Sequence, residues 1–292
     1  MDTSRLKTSM HELIRRTCTI LPEDIIQALQ EACRAELSGS IAEETLEIIL
    51  KSTSLSSTTG LPICQDTGAI LAIIEGQPDK TVFLVEEAIK DSVKTLTKEG
   101  ALRKNCVDPI TEKNTDDNIG AFVPQIHFEP KEGPTLVSIM LKGGGSENMS
   151  AQYSLPLQRI QAGRDLEGVR RCILDSVHQA QGQGCAPGVL GVCIGGDRAS
   201  GYLIAKKQLF RKLDDRNPSP LLASLEQTVF GEANTLDIGP MGLGGKTTLL
   251  GVKIGTAGRH PASYFVTVSY SCWATRRSTV ELDAGGSITR WL

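Results

Sequence analysis

Five short runs of β-branched and aliphatic residues, at 69–74, 135–141, 189–194, 248–254 and 264–269, alternate with stretches of helical periodicity. That alternation confines the chain to a mixed α/β design. Helical spacing is clearest at 82–98 and at 166–180, where Val169, Cys172, Ile173, Val177 and Ala180 share one face and His178 falls at the surface. The first 55 residues read as helices. Pro22 opens one, Ile25, Ile26, Leu29 and Cys33 form its apolar stripe, and Gly39 closes it. Ser40 and Glu43 then make a capping box for a second helix ending at Leu50, followed by a Ser/Thr-rich link over 52–59. No repeat or clean linker interrupts the rest. The expectation is a single mixed α/β domain over residues 1–292 with an N-terminal helical part.

Composition excludes several classes of function. Lys and Arg total 31 against 34 Asp and Glu, a net charge of -3, and the basic residues are scattered, so no footprint for nucleic acid is present. Residues 1–10 are polar, with no apolar signal core, and the longest apolar runs fall far short of the ~20 residues of a membrane span. A cytoplasmic protein is expected, and its eight cysteines, irregularly spaced, would then stay reduced. Of these, Cys18, Cys33, Cys172 and Cys193 sit in apolar patterns and read as core, while Cys106 lies in a polar loop.

The remaining three occupy turns at strand ends. Cys64 lies in Gly60-Leu61-Pro62-Ile63-Cys64-Gln65-Asp66-Thr67-Gly68, directly before a strand. Cys185 lies in Gly182-Gln183-Gly184-Cys185-Ala186-Pro187-Gly188, again before a strand, and Cys272 follows one in Tyr270-Ser271-Cys272-Trp273. A loop cysteine beside polar groups is a candidate ligand or nucleophile. Gaps of 121 and 87 residues do not match zinc ribbons or fingers. They suit an iron–sulfur cluster enclosed by a whole domain and bound by loops at strand ends. Three thiolates on a four-iron cube would leave one iron open as a Lewis acid. Spacing alone leaves this as one reading among others.

Two glycine-rich stretches need separate weighing. Gly239-Pro240-Met241-Gly242-Leu243-Gly244-Gly245-Lys246-Thr247 looks like a phosphate loop but precedes a strand instead of opening a helix, and nucleotide binding is rejected. Lys142-Gly143-Gly144-Gly145-Ser146-Glu147-Asn148 follows a strand and is either a structural turn or a set of backbone N–H groups for an anion. His260, in Gly258-Arg259-His260-Pro261, and Asp66 are the components of a carboxylate–imidazole proton relay.

These segments, with Leu102-Arg103-Lys104-Asn105 and Cys272-Trp273-Ala274-Thr275-Arg276-Arg277, resemble the class I iron–sulfur-dependent fumarases and the related L-tartrate dehydratases. They run in family order over nearly the whole chain. The resemblance implies a [4Fe–4S] cluster held by Cys64, Cys185 and Cys272, whose open iron binds the hydroxyl and a carboxylate of malate. It further implies substrate contacts from Gln65, Asp66, Arg103 and the Gly145 backbone, with Asp66 and His260 protonating the departing hydroxyl. Cys185-Ala186-Pro187 departs from the usual Cys-Pro-Pro but touches no ligand.

Single-chain members continue into a second domain carrying the base and further substrate clamps, so this chain looks like an α subunit. The expected partners are a β subunit, in an α2β2 assembly, and a small dicarboxylate substrate. The Gly-Gly-Gly-Ser-Glu-Asn form of the glycine loop resembles the fumarases more than the tartrate enzymes, which implies malate and fumarate over tartrate or a methylated relative. A non-catalytic iron–sulfur or zinc-binding sensor is the alternative from another class, and Asp66, Arg103 and His260 argue against it.

Overall fold

A computed structural model describes residues 2–292; Met1 lies outside the described residues. The chain runs through α1 (Thr3–Thr19), α2 (Glu23–Ala35), α3 (Ile41–Thr59), β1 (Ala69–Gly76) and α4 (Lys80–Lys98). It continues as β2 (Gln125–Pro130), β3 (Thr135–Lys142), α5 (Gly144–Asn148), β4 (Ala151–Ser154), α6 (Leu166–Ala180) and β5 (Gly188–Gly195). Then follow α7 (Arg198–Gln208), α8 (Pro220–Ala233), β6 (Leu249–Ala257), β7 (Phe265–Ser271), β8 (Arg276–Leu282) and β9 (Ile288–Trp291). The mixed α/β class and the helical start agree with the sequence reading.

Two compact units divide the chain, and they are interleaved in sequence. The first takes the chain up to Pro22 with 52–143 and 276–292; the second takes 23–51 and 144–275. In the first unit a five-stranded sheet has the order β2-β1-β3-β8-β9, with β1 and β2 parallel and the other pairs antiparallel. Leu6, Met10, Leu13 and Ile14 of α1 and Val85, Ile89, Val93 and Leu96 of α4 recur at helical spacing and close a core with Ile70, Ala72 and Ile74 of β1. Asp2 caps α1 by accepting the Ser4 N–H at 2.9 Å.

The second unit holds a four-stranded sheet, β4-β7-β5-β6, in which β5 and β6 run parallel. Every residue of β5 is buried, and its Leu190, Val192 and Ile194 join Val169, Cys172, Ile173 and Val177 of α6 and Val229 of α8. A buried carboxylate organises one edge of this unit. Glu226 accepts hydrogen bonds from Arg211 Nη1 (2.9 Å), Asn217 Nδ2 (2.8 Å) and the Ile254 N–H (2.7 Å).

Three expectations need correction. The Ser/Thr-rich link is the last part of α3, because its hydroxyls bond back along the helix: Thr58 to the Ser54 carbonyl (3.1 Å) and Thr59 to the Leu55 carbonyl (2.7 Å). The buried stripe of α2 is Ile25, Leu29 and Ala32, so Cys33 is half-buried beside it and not core. Ser40 does accept the Glu43 N–H (3.2 Å), but the Glu43 carboxylate takes the N–H of Gly39 (2.6 Å) instead of returning to Ser40. Among the described residues no helix is long and apolar enough to cross a membrane.

Candidate functional site

In the first unit the turn ahead of β1 is tied down before its functional residues appear. The Ile63 N–H donates to the Cys18 carbonyl at the end of α1 (3.1 Å). Gly68, at φ +85°, lies so close to β3 that a Cβ would stand 2.9 Å from the backbone of Leu141 and Lys142. Between these anchors are half-buried Cys64, exposed Gln65, half-buried Asp66 and buried Thr67. Thr67 Oγ1 receives the Arg103 N–H (3.0 Å) and Asn105 Nδ2 (3.2 Å). Asp66 Oδ1 accepts the Gly68 N–H (2.9 Å) and, at 3.4 Å, Asn105 Nδ2. The structure therefore ties the backbone of the exposed Arg103 and the Asp66 turn to one support, Thr67 and Asn105.

Asn118 is the residue that sequence reasoning missed here. Its Oδ1 takes the N–H groups of Asn105 (2.6 Å) and Cys106 (3.0 Å), while its Nδ2 donates to the Arg103 carbonyl (2.7 Å) and Thr97 Oγ1 (3.0 Å). One buried amide thus satisfies four partners and fixes the path of the Arg103 segment. Its only sequence signal is that Asn tolerates the left-handed backbone it adopts, φ 59°.

In the second unit Cys185 sits at φ 56°, closing a turn through its own N–H to the Gly182 carbonyl (3.0 Å). The Trp273 N–H, next to Cys272, donates to the Cys185 carbonyl at 3.1 Å, so the two cysteine loops are drawn together. Thr275 Oγ1 pins the Cys272 carbonyl at 2.8 Å. Beneath the Cys185 loop lies the ring of Tyr270, packed so tightly against Gly184 and Gly188 that a Cβ at either would collide with it. Burial pushes the Tyr270 hydroxyl up, and Cys272 and Cys185 act in the same direction.

His260 is exposed, on a loop clamped by two arginines. Arg259 Nη1 reaches the carbonyls of His260, Pro261 and Ser263 at 3.0–3.2 Å and its guanidinium stacks on Tyr264 at 4.5 Å. Arg164 donates to the carbonyls of Pro261 (3.3 Å) and Ala262 (2.8 Å). His260 Nδ1 accepts the Ala262 N–H at 3.0 Å, which leaves the proton of the neutral ring on Nε2. Gly145 lies in α5, where a Cβ would meet only the Gln183 carbonyl, at 3.7 Å. The other glycine stretch precedes β6, and its Lys246 Nζ is spent on the Ala35 carbonyl at the end of α2 (2.9 Å).

Cys64, Cys185 and Cys272 are in no disulfide and none is fully buried, whereas Cys18, Cys172 and Cys193 are buried, with burial raising their pKa values to about 11, 12 and 11. Among the described residues no group of three His, Cys, Asp or Glu is arranged to hold a metal ion. Cys185 and Cys272 are the pair gathered within one unit.

A family profile described as Fumarate hydratase (Fumerase) matches residues 7–281. A Geobacillus stearothermophilus protein named for class I fumarate hydratase is 46% identical over 99% of this chain, which spans 57% of that relative's length. A Methanocaldococcus jannaschii protein named for the L(+)-tartrate dehydratase α subunit is 37% identical, over 94% of this chain and 96% of its own. The α subunit of Escherichia coli K12 L(+)-tartrate dehydratase is 30% identical over 91% of this chain and 87% of its own.

Proposed function

Because the chain belongs to the class I fumarate hydratase family, we propose that it is the α subunit of an iron–sulfur hydro-lyase interconverting fumarate and L-malate. The observation that carries the reading is the Asp66, Thr67, Asn105 and Arg103 group built directly after a free thiol at a strand entrance. A structural or sensing cysteine has no use for an exposed arginine whose backbone is tied to the threonine next to Asp66. Tartrate is the second reading, supported by relatives named as tartrate dehydratase α subunits; the greater identity to the relative named for fumarate hydratase favours fumarate.

The donor set fits a [4Fe–4S] cluster by its chemistry: three thiols outside any disulfide, with a buried, unpartnered Tyr270 hydroxyl beside two of them. Cys64, Cys185 and Cys272 would hold it, and when bound it supplies an open iron as a Lewis acid toward hydroxyl and carboxylate oxygens. Arg103 offers its guanidinium fork to a substrate carboxylate, with Gln65 and the Gly145 backbone as further polar contacts. His260, through Nε2, and Asp66 deliver the proton that leaves with the C2 hydroxyl. The C3 proton goes to a base on a β subunit while the hydroxyl leaves as water with the proton from Asp66 and His260, and proton exchange with solvent then resets acid and base. The names of the two-subunit relatives support that partner, and we extend the proposal to a cytoplasmic α2β2 assembly.

The test is iron and acid-labile sulfide per chain after anaerobic purification, with a Cys64/Cys185/Cys272→Ser variant in parallel. About four of each in the wild type and none in the variant are expected. With a β subunit added, fumarate should outpace tartrate, and Arg103→Ala should keep its iron while losing turnover. Zinc, or no metal after reconstitution, would overturn the reading.

A further inference from the structure

The two bulkiest side chains that are under 2% exposed, Arg276 and Tyr270, both carry hydrogen-bond donors with no partner: Arg276 Nε and Nη1, and the Tyr270 hydroxyl. Desolvating such groups is unfavourable, and a cation more so than a hydroxyl, unless something in the functional state accepts from them. Tyr270 lies beside two cysteines of the proposed ligand set, and Arg276 beside the strand end that packs on the turn of the third, each in its own unit. Tyr270 is the next-to-last residue of β7, two before Cys272, and its ring is caged by Gly184 and Gly188, which bracket Cys185. Arg276 opens β8 opposite Leu141, whose backbone abuts Gly68 at the end of the Cys64 turn. A third orphan, Ser269 Oγ, lies on the opposite face of β7 from Tyr270 and does not belong to this set.

We infer that Tyr270 and Arg276 are positioning residues that donate hydrogen bonds to the thiolate sulfurs of a cysteine-held metal cluster, Tyr270 to Cys185 or Cys272 and Arg276 to Cys64. The inference rests on the cluster proposed above. Thiolate sulfur accepts hydrogen bonds, and each donor lowers the charge concentrated on it, favouring the reduced cluster and holding the sulfur in place. With no acceptor among the described residues, these donors contribute nothing to the metal-free fold. Removing them should therefore separate cluster behaviour from stability.

The experiment uses the full chain, metal-free and reconstituted, as wild type, Tyr270→Phe, Arg276→Met and Arg276→Lys. Iron per chain, iron release to a chelator, the midpoint potential by EPR-monitored titration, and the Tm of the metal-free protein are measured. Tyr270→Phe and Arg276→Met should leave the metal-free Tm unchanged or raised, release iron roughly 10-fold faster, and show a lower potential. Arg276→Lys should recover part of both cluster effects. Wild-type rates and potentials in both variants, or a marked fall in their metal-free Tm, would assign the two side chains to packing and overturn the inference. A wild type that takes up no iron and sulfide overturns the cluster reading itself, and this inference with it.

Discussion

Substituting Gly68 tests whether the turn bearing Cys64 and Asp66 is held by steric fit against β3. Gly60, eight residues earlier and in the same unit, supplies the control. Both adopt a left-handed backbone, φ +69° at Gly60 and φ +85° at Gly68, but a Cβ on Gly60 meets nothing within 4 Å. At Gly68 it stands 2.9 Å from Leu141 C, Lys142 C and Lys142 N, backbone atoms fixed in a ladder that cannot yield. Gly60→Ala should thus cost only the conformational penalty, about 1–2 kcal/mol. Gly68→Ala adds overpacking of about 1–3 kcal/mol. At roughly 3 °C per kcal/mol for units of this size, the Tm of Gly68→Ala should lie about 3–9 °C below that of Gly60→Ala. Differential scanning calorimetry of the metal-free chains reads this directly, with urea midpoints as an independent check. Equal losses in the two variants would refute the claim that contact with β3 fixes the turn.

Three other outcomes follow from the second unit and the cysteines. Glu226→Ala leaves the buried Ile254 N–H without its acceptor and takes one partner from Asn217 and Arg211, and should cost about 1–3 kcal/mol, with Glu226→Gln milder; a urea midpoint within error of wild type for the Ala variant would contradict the network. Burial alone would raise the Asp175 pKa, yet the Arg159 fork (3.0 and 2.6 Å) and the Tyr153 hydroxyl (2.9 Å) outweigh it and hold the carboxyl below its usual range. A depressed folded pKa gives stability that is present above the unfolded carboxylate range and lost as pH falls through the folded value. The stability gap between wild type and Asp175→Asn should therefore shrink below about pH 4, and a gap indifferent to pH would contradict the assignment. Alkylation of the native metal-free chain, read by peptide mass mapping, should modify Cys64, Cys185 and Cys272 before Cys18, Cys172 and Cys193; early labelling of the buried three would contradict the burial pattern.

Much of the architecture was legible because five strands carry continuous apolar runs. The others hide for identifiable reasons. β8 opens with two buried arginines, Arg276 and Arg277, which hydropathy reads as surface. β2 and β9 are only half-buried edges, so their apolar residues show no clean alternation. α7 opens Arg-Ala-Ser-Gly and reads as a turn, although Asp197 and Ser200 form its reciprocal capping box. In the site, cysteines stand out by residue type and loop context. Asn118, Arg164, Tyr270 and Arg276 do not, because their roles depend on partners distant in sequence or on the lack of any. The stripe of α2 was misplaced toward Cys33 because a helical pattern drawn from few apolar residues tolerates a shift of one position.

The interleaving of the two units also has a consequence during synthesis. β3 lies between β1 and β8 in its sheet, so one of its edges stays open until residues 276–282 have been made. Those residues come 276 − 142 = 134 positions after the end of β3. At cellular translation rates that is on the order of 10 s, during which a largely buried strand presents unpaired N–H and C=O groups to its surroundings. Nascent chains stalled in this interval, including any released after Thr275, should be strong clients for chaperones, and the dependence should vanish abruptly once β8 has left the ribosome.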